Sequence, residues 1–269
     1  MNLDNQSVDG ASVLLRSEDK GVVTLTLNRP NQFNSLSEEL LQALQTAFSE
    51  LARNEGVRAI VMAANGKAFC AGHDLKQMRA NNNEAYYQSL FSKMGALMTS
   101  IMYQPQPVIA RVQGIATAAG CQLVASCDMA VAADSARFAV SGINVGLFCS
   151  TPSVALSRNI GRKSALEMLL TGEFIGAEQA VREGLINRAV PLERLDAEVT
   201  RLTDAICAKS GMAVRTGKQM FYRQLEMGVE DAYRYAGGVM TCNMLHEDVA
   251  EGIDAFMEKR PPVWRGPID

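Results

Sequence analysis

An α/β core with parallel strand pairing, followed by a helical C-terminal part, is the fold class that this 269-residue sequence predicts. Three observations carry it. From Val22 to Ala132, β-branched and alanine-rich apolar runs alternate with helical periodicity, the rhythm of strands laid side by side with helices between them. Beyond Ser164 that rhythm gives way to periodic apolar faces with too little β signal to extend a sheet. The composition, 48% hydrophobic and 20% charged, supplies a core and excludes a disordered chain.

The first strand is the run 22–27, ended by the turn signal Asn28-Arg29-Pro30-Asn31. A helix follows, with Ser35 and Glu38 in capping-box spacing and Leu36, Leu40, Leu44, Ala47, Phe48 and Leu51 on one face. Residues 57–63 read as a second strand, and a Gly-containing loop, 65–72, leads toward another helix. The unit repeats as strand 107–112, helix 118–126 and strand 129–132. From 164 onward the pattern is helical, with 186–190 as the short exception and helices near 192–208, 212–227 and 231–246.

The net charge of −3 sets nucleic acid aside as a partner, because phosphate binding draws on a basic surplus or stripe. The longest uncharged stretch, 112–127, is too short and too weakly apolar to span a bilayer. Residues 1–20 are polar and slightly acidic, without an apolar h-region or Arg-rich character, so a cytoplasmic location is expected. Six Cys without a C-x-x-C pair, and two His, predict buried reduced thiols rather than a metal site.

Two small-residue loops stand where a strand hands over to a helix: 66–75, containing Ala71-Gly72-His73-Asp74-Leu75, and 113–122, containing Ala118-Ala119-Gly120-Cys121-Gln122. Backbone N–H groups at a helix start lack intrahelical partners and carry positive partial charge. Two such loops face to face could hold one developing oxyanion; close packing alone is the other reading of the same glycines.

Asn28-Arg29-Pro30 with Asn34, the segment 68–75, the run 114–121 leading to Cys127-Asp128, Gly161-Arg162-Lys163 with Leu169-Leu170-Thr171-Gly172, 180–186, and Phe256 to Arg260 stand in one order along the chain. In that order and spacing the sequence resembles the crotonase (enoyl-CoA hydratase/isomerase) superfamily over about Val22 to Trp264. Residues 71–76 and 146–152 look closest to its enoyl-CoA hydratase domain-containing protein 3 branch. The resemblance implies a spiral of ββα units in an acyl-CoA-binding core, residues 1–195, and a helical region, 196–269, that builds trimers or paired trimers. It implies an acyl-CoA thioester as ligand, with coenzyme A entering as part of the substrate and no other cofactor or metal.

By the same resemblance, the backbone N–H groups of His73 and Ala119 hold the thioester oxygen, while the His73 imidazole lines the pocket or takes a role of its own. The family's two catalytic glutamates fall on Gln122 and Gly142. Glutamine orients a water but cannot take its proton, and glycine has no side chain, so two-glutamate hydration loses its bases. Cys149 lies where one branch of the family carries a nucleophile; it reads either as an activated thiol or as a small buried side chain. Asp74 is expected to cap the next helix, and Asp128 to be structural. Ala71, Asp74 and Leu75 fall in the ligand-binding loop. Phe256 and Lys259, reached from a neighbouring subunit, are candidates for the adenine and phosphate end, as are Arg29 and Lys67.

Overall fold

The computed structural model describes residues 12–265; residues 1–11, half of the polar N-terminal segment read above, and 266–269 lie outside them. β1 (Leu14–Asp19) and β2 (Val22–Leu27) form an antiparallel hairpin turned by Lys20 and Gly21, both at positive φ, the geometry a two-residue hairpin turn requires. α1 (Glu38–Leu51) follows. Three strand pairs then repeat one plan. β3 (Ala59–Ala64) leads to β4 (Ala68–Cys70) and the helices α2 (Leu75–Ala80) and α3 (Glu84–Met102). β5 (Val108–Val112) leads to β6 (Ile115–Thr117) and α4 (Ala119–Ser126). β7 (Met129–Ala133) leads to β8 (Arg137–Ala139), α5 (Ser150–Asn159) and α6 (Arg162–Thr171). β9 (Ile175–Gly176), α7 (Ala177–Glu183), β10 (Arg188–Val190) and α8 (Leu195–Cys207) complete the body, and α9 (Gly211–Gln224), α10 (Val229–Met244) and α11 (Glu247–Glu258) form the helical C-terminal part.

Each long strand joins a six-stranded sheet, ordered β1-β2-β3-β5-β7-β10, and each short follower joins a four-stranded one, ordered β4-β6-β8-β9. Pairing is parallel except at β1 and β9. This is the spiral of ββα units that the resemblance implied. One face of the large sheet, with Leu25, Leu27, Ile60 and Met62, packs on Leu40, Leu44 and Phe48 of α1. Its other face, with Val61, Ile109 and Val131, is covered by Leu195 and Val199 of α8. Covered on both sides, β3 is buried at every position, which is why it reads as a continuous apolar run rather than an alternating one.

Four expectations needed correction. β1 falls inside the N-terminal stretch read as polar, because it is an exposed edge strand with no buried face. α1 is capped by Ser37, whose hydroxyl accepts from Leu40 N–H; Ser35 instead offers its carbonyl to the Arg29 guanidinium. Helical structure resumes at Ser150, ahead of residue 164, and a further helix, α11, follows the three expected ones. Of the six thiols, Cys70, Cys121, Cys127 and Cys149 are buried, whereas Cys207 is half-buried and Cys242 exposed.

One buried ion pair joins the helical part to the sheet. Asp128, just before β7, accepts from Val108 N–H at 2.6 Å, Lys218 Nζ at 2.6 Å and Tyr222 OH at 2.9 Å. Lys218 spends its other two protons on the carbonyls of Ile101 and Gln106. All donors and acceptors are matched, as burial demands, and the structural role expected for Asp128 is what the fold gives it.

Candidate functional site

The two small-residue loops lie against each other. Gly114 and Gly120 bring them there: a Cβ at Gly114 would collide with the Lys67 carbonyl, and one at Gly120 with the Cys70 carbonyl. Two amides complete the clamp. Gln113 Nε2 donates to the carbonyls of Gly66 and Ala68, and buried Asn34 donates to Asn65 and Ala68 while accepting from Arg29 N–H. Asn34 holds a positive φ of 54°, a conformation asparagine tolerates better than most residues. Neither clamp role was legible in the sequence, since an amide in a loop has no periodicity to betray it.

Backbone hydrogen bonding sets the direction of the donors. Leu36 N–H donates to the Gly72 carbonyl at 2.8 Å, and Asp74 N–H to the Leu36 carbonyl at 3.2 Å, the two bonds of a parallel bridge between Leu36 and His73. Both bonds bracket His73, so its own N–H faces the opposite side of the segment. The first turn of α4 stands beside this segment: a Cβ built at Gly72 would lie 3.3 Å from Ala119 N. Ala119 opens α4, and its N–H has no intrahelical acceptor. Ala118 before it adopts φ 50°, ψ −121° with no side-chain cap, a strained conformation for a residue with a Cβ.

Polar side-chain atoms around this junction are buried without protein partners. Both ring nitrogens of His73 and the Oε1 of Gln122 have none. The His73 ring meets Phe91 of α3 edge-on, 5.8 Å between centroids, and burial pushes its imidazole down to about 4, leaving it neutral at pH 7. Gln122, one turn into α4, is buried. Phe91 is a site neighbour that the sequence reading does not single out; the aromatic pair Tyr87 and Phe91, four apart and stacked, is the signal it carries.

Gly142 lies in a 3-10 turn at residues Ser141–Val145. Its N–H donates to Cys149 Sγ at 3.3 Å, and an added Cβ would meet the Leu147 carbonyl oxygen at 2.6 Å and Cys149 Sγ at 2.7 Å. Burial raises the Cys149 thiol, which opposes the thiolate a nucleophile needs. Asp74 caps α2 as expected, accepting from Lys76 and Gln77 N–H. It also pairs with the Arg29 guanidinium at 3.0 Å, and that pair holds its carboxyl below the usual range. Arg29 is thereby committed to Asp74 and Ser35, and Ala71 N–H to the Phe33 carbonyl. Lys67 and Leu75 are exposed beside the loops. Phe256 and Lys259 lie exposed on and just after α11, in the helical part.

The enoyl-CoA hydratase/isomerase family profile matches residues 17–267. The chain belongs to that family. Among relatives of the hydratase/isomerase family, enoyl-CoA hydratase domain-containing protein 3, mitochondrial, of Xenopus laevis is 46% identical over 247 residues, covering 92% of this chain and 84% of its own. A solved Mycobacterium smegmatis enoyl-CoA hydratase is 59% identical with a TM-score of 0.93, covering 94% of this chain and 98% of its own. The human enoyl-CoA hydratase domain-containing protein 3 structure is 42% identical with a TM-score of 0.91, covering 94% and 100%. The branch recognised from residues 71–76 and 146–152 is thus among the chain's similar sequences and structures.

Proposed function

We propose that this chain binds acyl-CoA thioesters and acts on them as a hydratase/isomerase-type enzyme, with the N–H groups of His73 and Ala119 as the oxyanion hole. The carrying observation is the junction of the two loops, where the His73 N–H is turned away from its bridge and the unpaired Ala119 N–H opens α4. Fixed donors aimed at a developing enolate contribute about 2.7–4 kcal/mol each to a transition state. Among the described residues no helix is long and apolar enough to cross a membrane.

The protein's own residues limit the chemistry. Gln122 orients an oxygen but takes no proton, and the Gly142 position has no room for a carboxylate. These two support a second reading, a CoA-ligand-binding protein without hydratase activity. Thermal stabilisation tests the shared part: butyryl-CoA at 100 times its Kd adds about 2.7 kcal/mol of apparent stability, and no shift with any acyl-CoA at millimolar concentration sinks both readings. Loss of the conjugated thioester of crotonyl-CoA separates them. Gln122→Glu restores one proton acceptor, and general acid–base catalysis is worth about 10²–10⁴-fold; robust turnover by the unaltered protein would show that the missing glutamates are dispensable.

Phe256 and Lys259 are assigned to the adenine and phosphate end of coenzyme A from a neighbouring subunit, with Lys67 on the loop side. A homotrimer or a dimer of trimers accounts for the apolar residues exposed on α9 and α10, among them Phe221, Val229, Tyr233 and Met240. The cytoplasmic location expected from residues 1–20 competes with a mitochondrial one, the word the Xenopus laevis relative carries in its name; cell fractionation decides between them.

A further inference from the structure

We propose that a C-terminal strap, residues 260–265, sets the position from which Phe256 and Lys259 meet the nucleotide end of a neighbouring subunit's acyl-CoA, with Glu251 and Trp264 as its positioning residues. The inference rests on the acyl-CoA reading and deepens it. Past α11 the chain turns back along that helix and is fastened at three levels. Arg260 sets Nη1 and Nη2 on the two carboxylate oxygens of Glu251 at 2.6 and 2.9 Å, and Val263 N–H donates to the same carboxylate at 2.7 Å. Trp264 rests on Gly252, where its ring stands 3.2 Å from the place a Cβ would occupy, and its Nε1 donates to the Ala208 carbonyl at 2.8 Å. Arg265 N–H donates at 3.0 Å to Asp248, a buried carboxylate that also accepts from the Ser210 hydroxyl. Ala208 and Ser210 lie in the corner between α8 and α9, so the strap ties α11 to the body of the protein.

The strap holds the backbone and leaves the two side chains free. Ala255 is buried, whereas Phe256 is 85% exposed, and Phe256 and Lys259, three residues apart, share one side of the helix. Lys259 ends α11 at a positive φ of 55°, where glycine is the usual residue. Its side chain is exposed, so packing of that side chain does not offset the backbone cost, and strain of this kind marks a place where a function is served. Arg260 also donates to Glu258 at 2.6 Å, so the carboxylates of Glu251 and Glu258 are neutralised by Arg260 rather than by Lys259. Among the described residues no carboxylate pairs with the Lys259 ammonium. An exposed aromatic ring beside an unpaired ammonium offers a stacking face for a base and a point charge for a phosphate.

Isothermal titration of the intact protein with butyryl-CoA and with butyryl-pantetheine, the same thioester without its nucleotide, tests this. Trp264→Ala and Glu251→Gln are expected to weaken butyryl-CoA binding about 10-fold while leaving butyryl-pantetheine binding unchanged. Trp264→Phe, which keeps a ring on Gly252, is expected to recover part of the loss. Lys259→Ala weakens butyryl-CoA alike, and the double variant Lys259→Ala, Trp264→Ala loses no more than either single one, because residues that act through one contact are not additive. Unchanged butyryl-CoA affinity in the strap variants overturns the inference, as do an equal loss for both ligands, additive losses in the double variant, and a loss that light scattering traces to dissociation of subunits. Unchanged affinity in Lys259→Ala overturns the assignment of that lysine, and the role of the strap falls with it. Binding of neither thioester to the unaltered protein overturns the acyl-CoA reading itself, a separate outcome.

Discussion

Gly142 occupies a place where a side chain has no room, because backbone stands 2.6 Å from where its Cβ would be. Restoring the family's glutamate there is expected to displace the Leu147 carbonyl and destabilise the protein by about 1–3 kcal/mol, measured by urea denaturation, without producing hydration of crotonyl-CoA. Replacing Cys149 by glycine as well removes only the sulfur contact. Ala118 presents the reverse case. Its positive φ suits glycine, so Ala118→Gly relieves the backbone strain; a gain of about 1 kcal/mol in stability is expected. His73 adds acid sensitivity. Its imidazole titrates near 6.5 when unfolded and about 4 when folded, so between these values the unfolded chain holds the extra proton. Stability therefore falls as pH drops from 6.5 toward 4, by at most about 3 kcal/mol, and His73→Phe should flatten the denaturation midpoint over that window.

At the scale of elements, α4 is a helix whose position matters more than its stability. Its first turn rests on β4 through Gly120, with no side chain between. Gly120→Ala pushes the helix start off the Cys70 carbonyl and moves the Ala119 N–H with it. Butyryl-CoA affinity is expected to fall by 10-fold or more, while far-UV circular dichroism stays unchanged. The sequence marked both loops and both strand-to-helix handovers here, since glycine and alanine clusters punctuate apolar runs. It left packing and ligand binding as open alternatives. In the fold the glycines that let the loops touch also bring the His73 segment to the start of α4. The misplaced cap of α1 shows the limit of local pattern, for Ser35 and Ser37 both precede an acidic first turn, yet Ser37 takes the Leu40 N–H while the Arg29 guanidinium, six residues before Ser35, holds the Ser35 carbonyl.

Across the whole molecule, the Asp128, Lys218 and Tyr222 cluster fastens the helical part to the sheet. Lys218→Met removes one partner of a buried pair and is expected to cost about 3–5 kcal/mol, read as a lower urea midpoint. Because α9 presents part of the exposed apolar surface, light scattering on the same variant should show loss of the proposed trimer or hexamer before global unfolding. A variant that stays fully assembled would show that the latch does not position that surface.

The strands β2, β3, β5, β7 and β10, the parallel α/β body, the helical C-terminal part and the two small-residue loops were determined by the sequence alone, because apolar periodicity and turn chemistry are local. The exposed edge strand β1 was not, since a strand without a buried face leaves no alternation. Only the tertiary structure decided that Asn34 and Gln113 clamp the loops, that Arg29 is committed to Asp74, that Gly142 is sealed by Leu147 and Cys149, and that the His73 nitrogens are buried without partners. Each of these depends on atoms far apart in the chain meeting across a packed interior, and no local pattern encodes such a meeting.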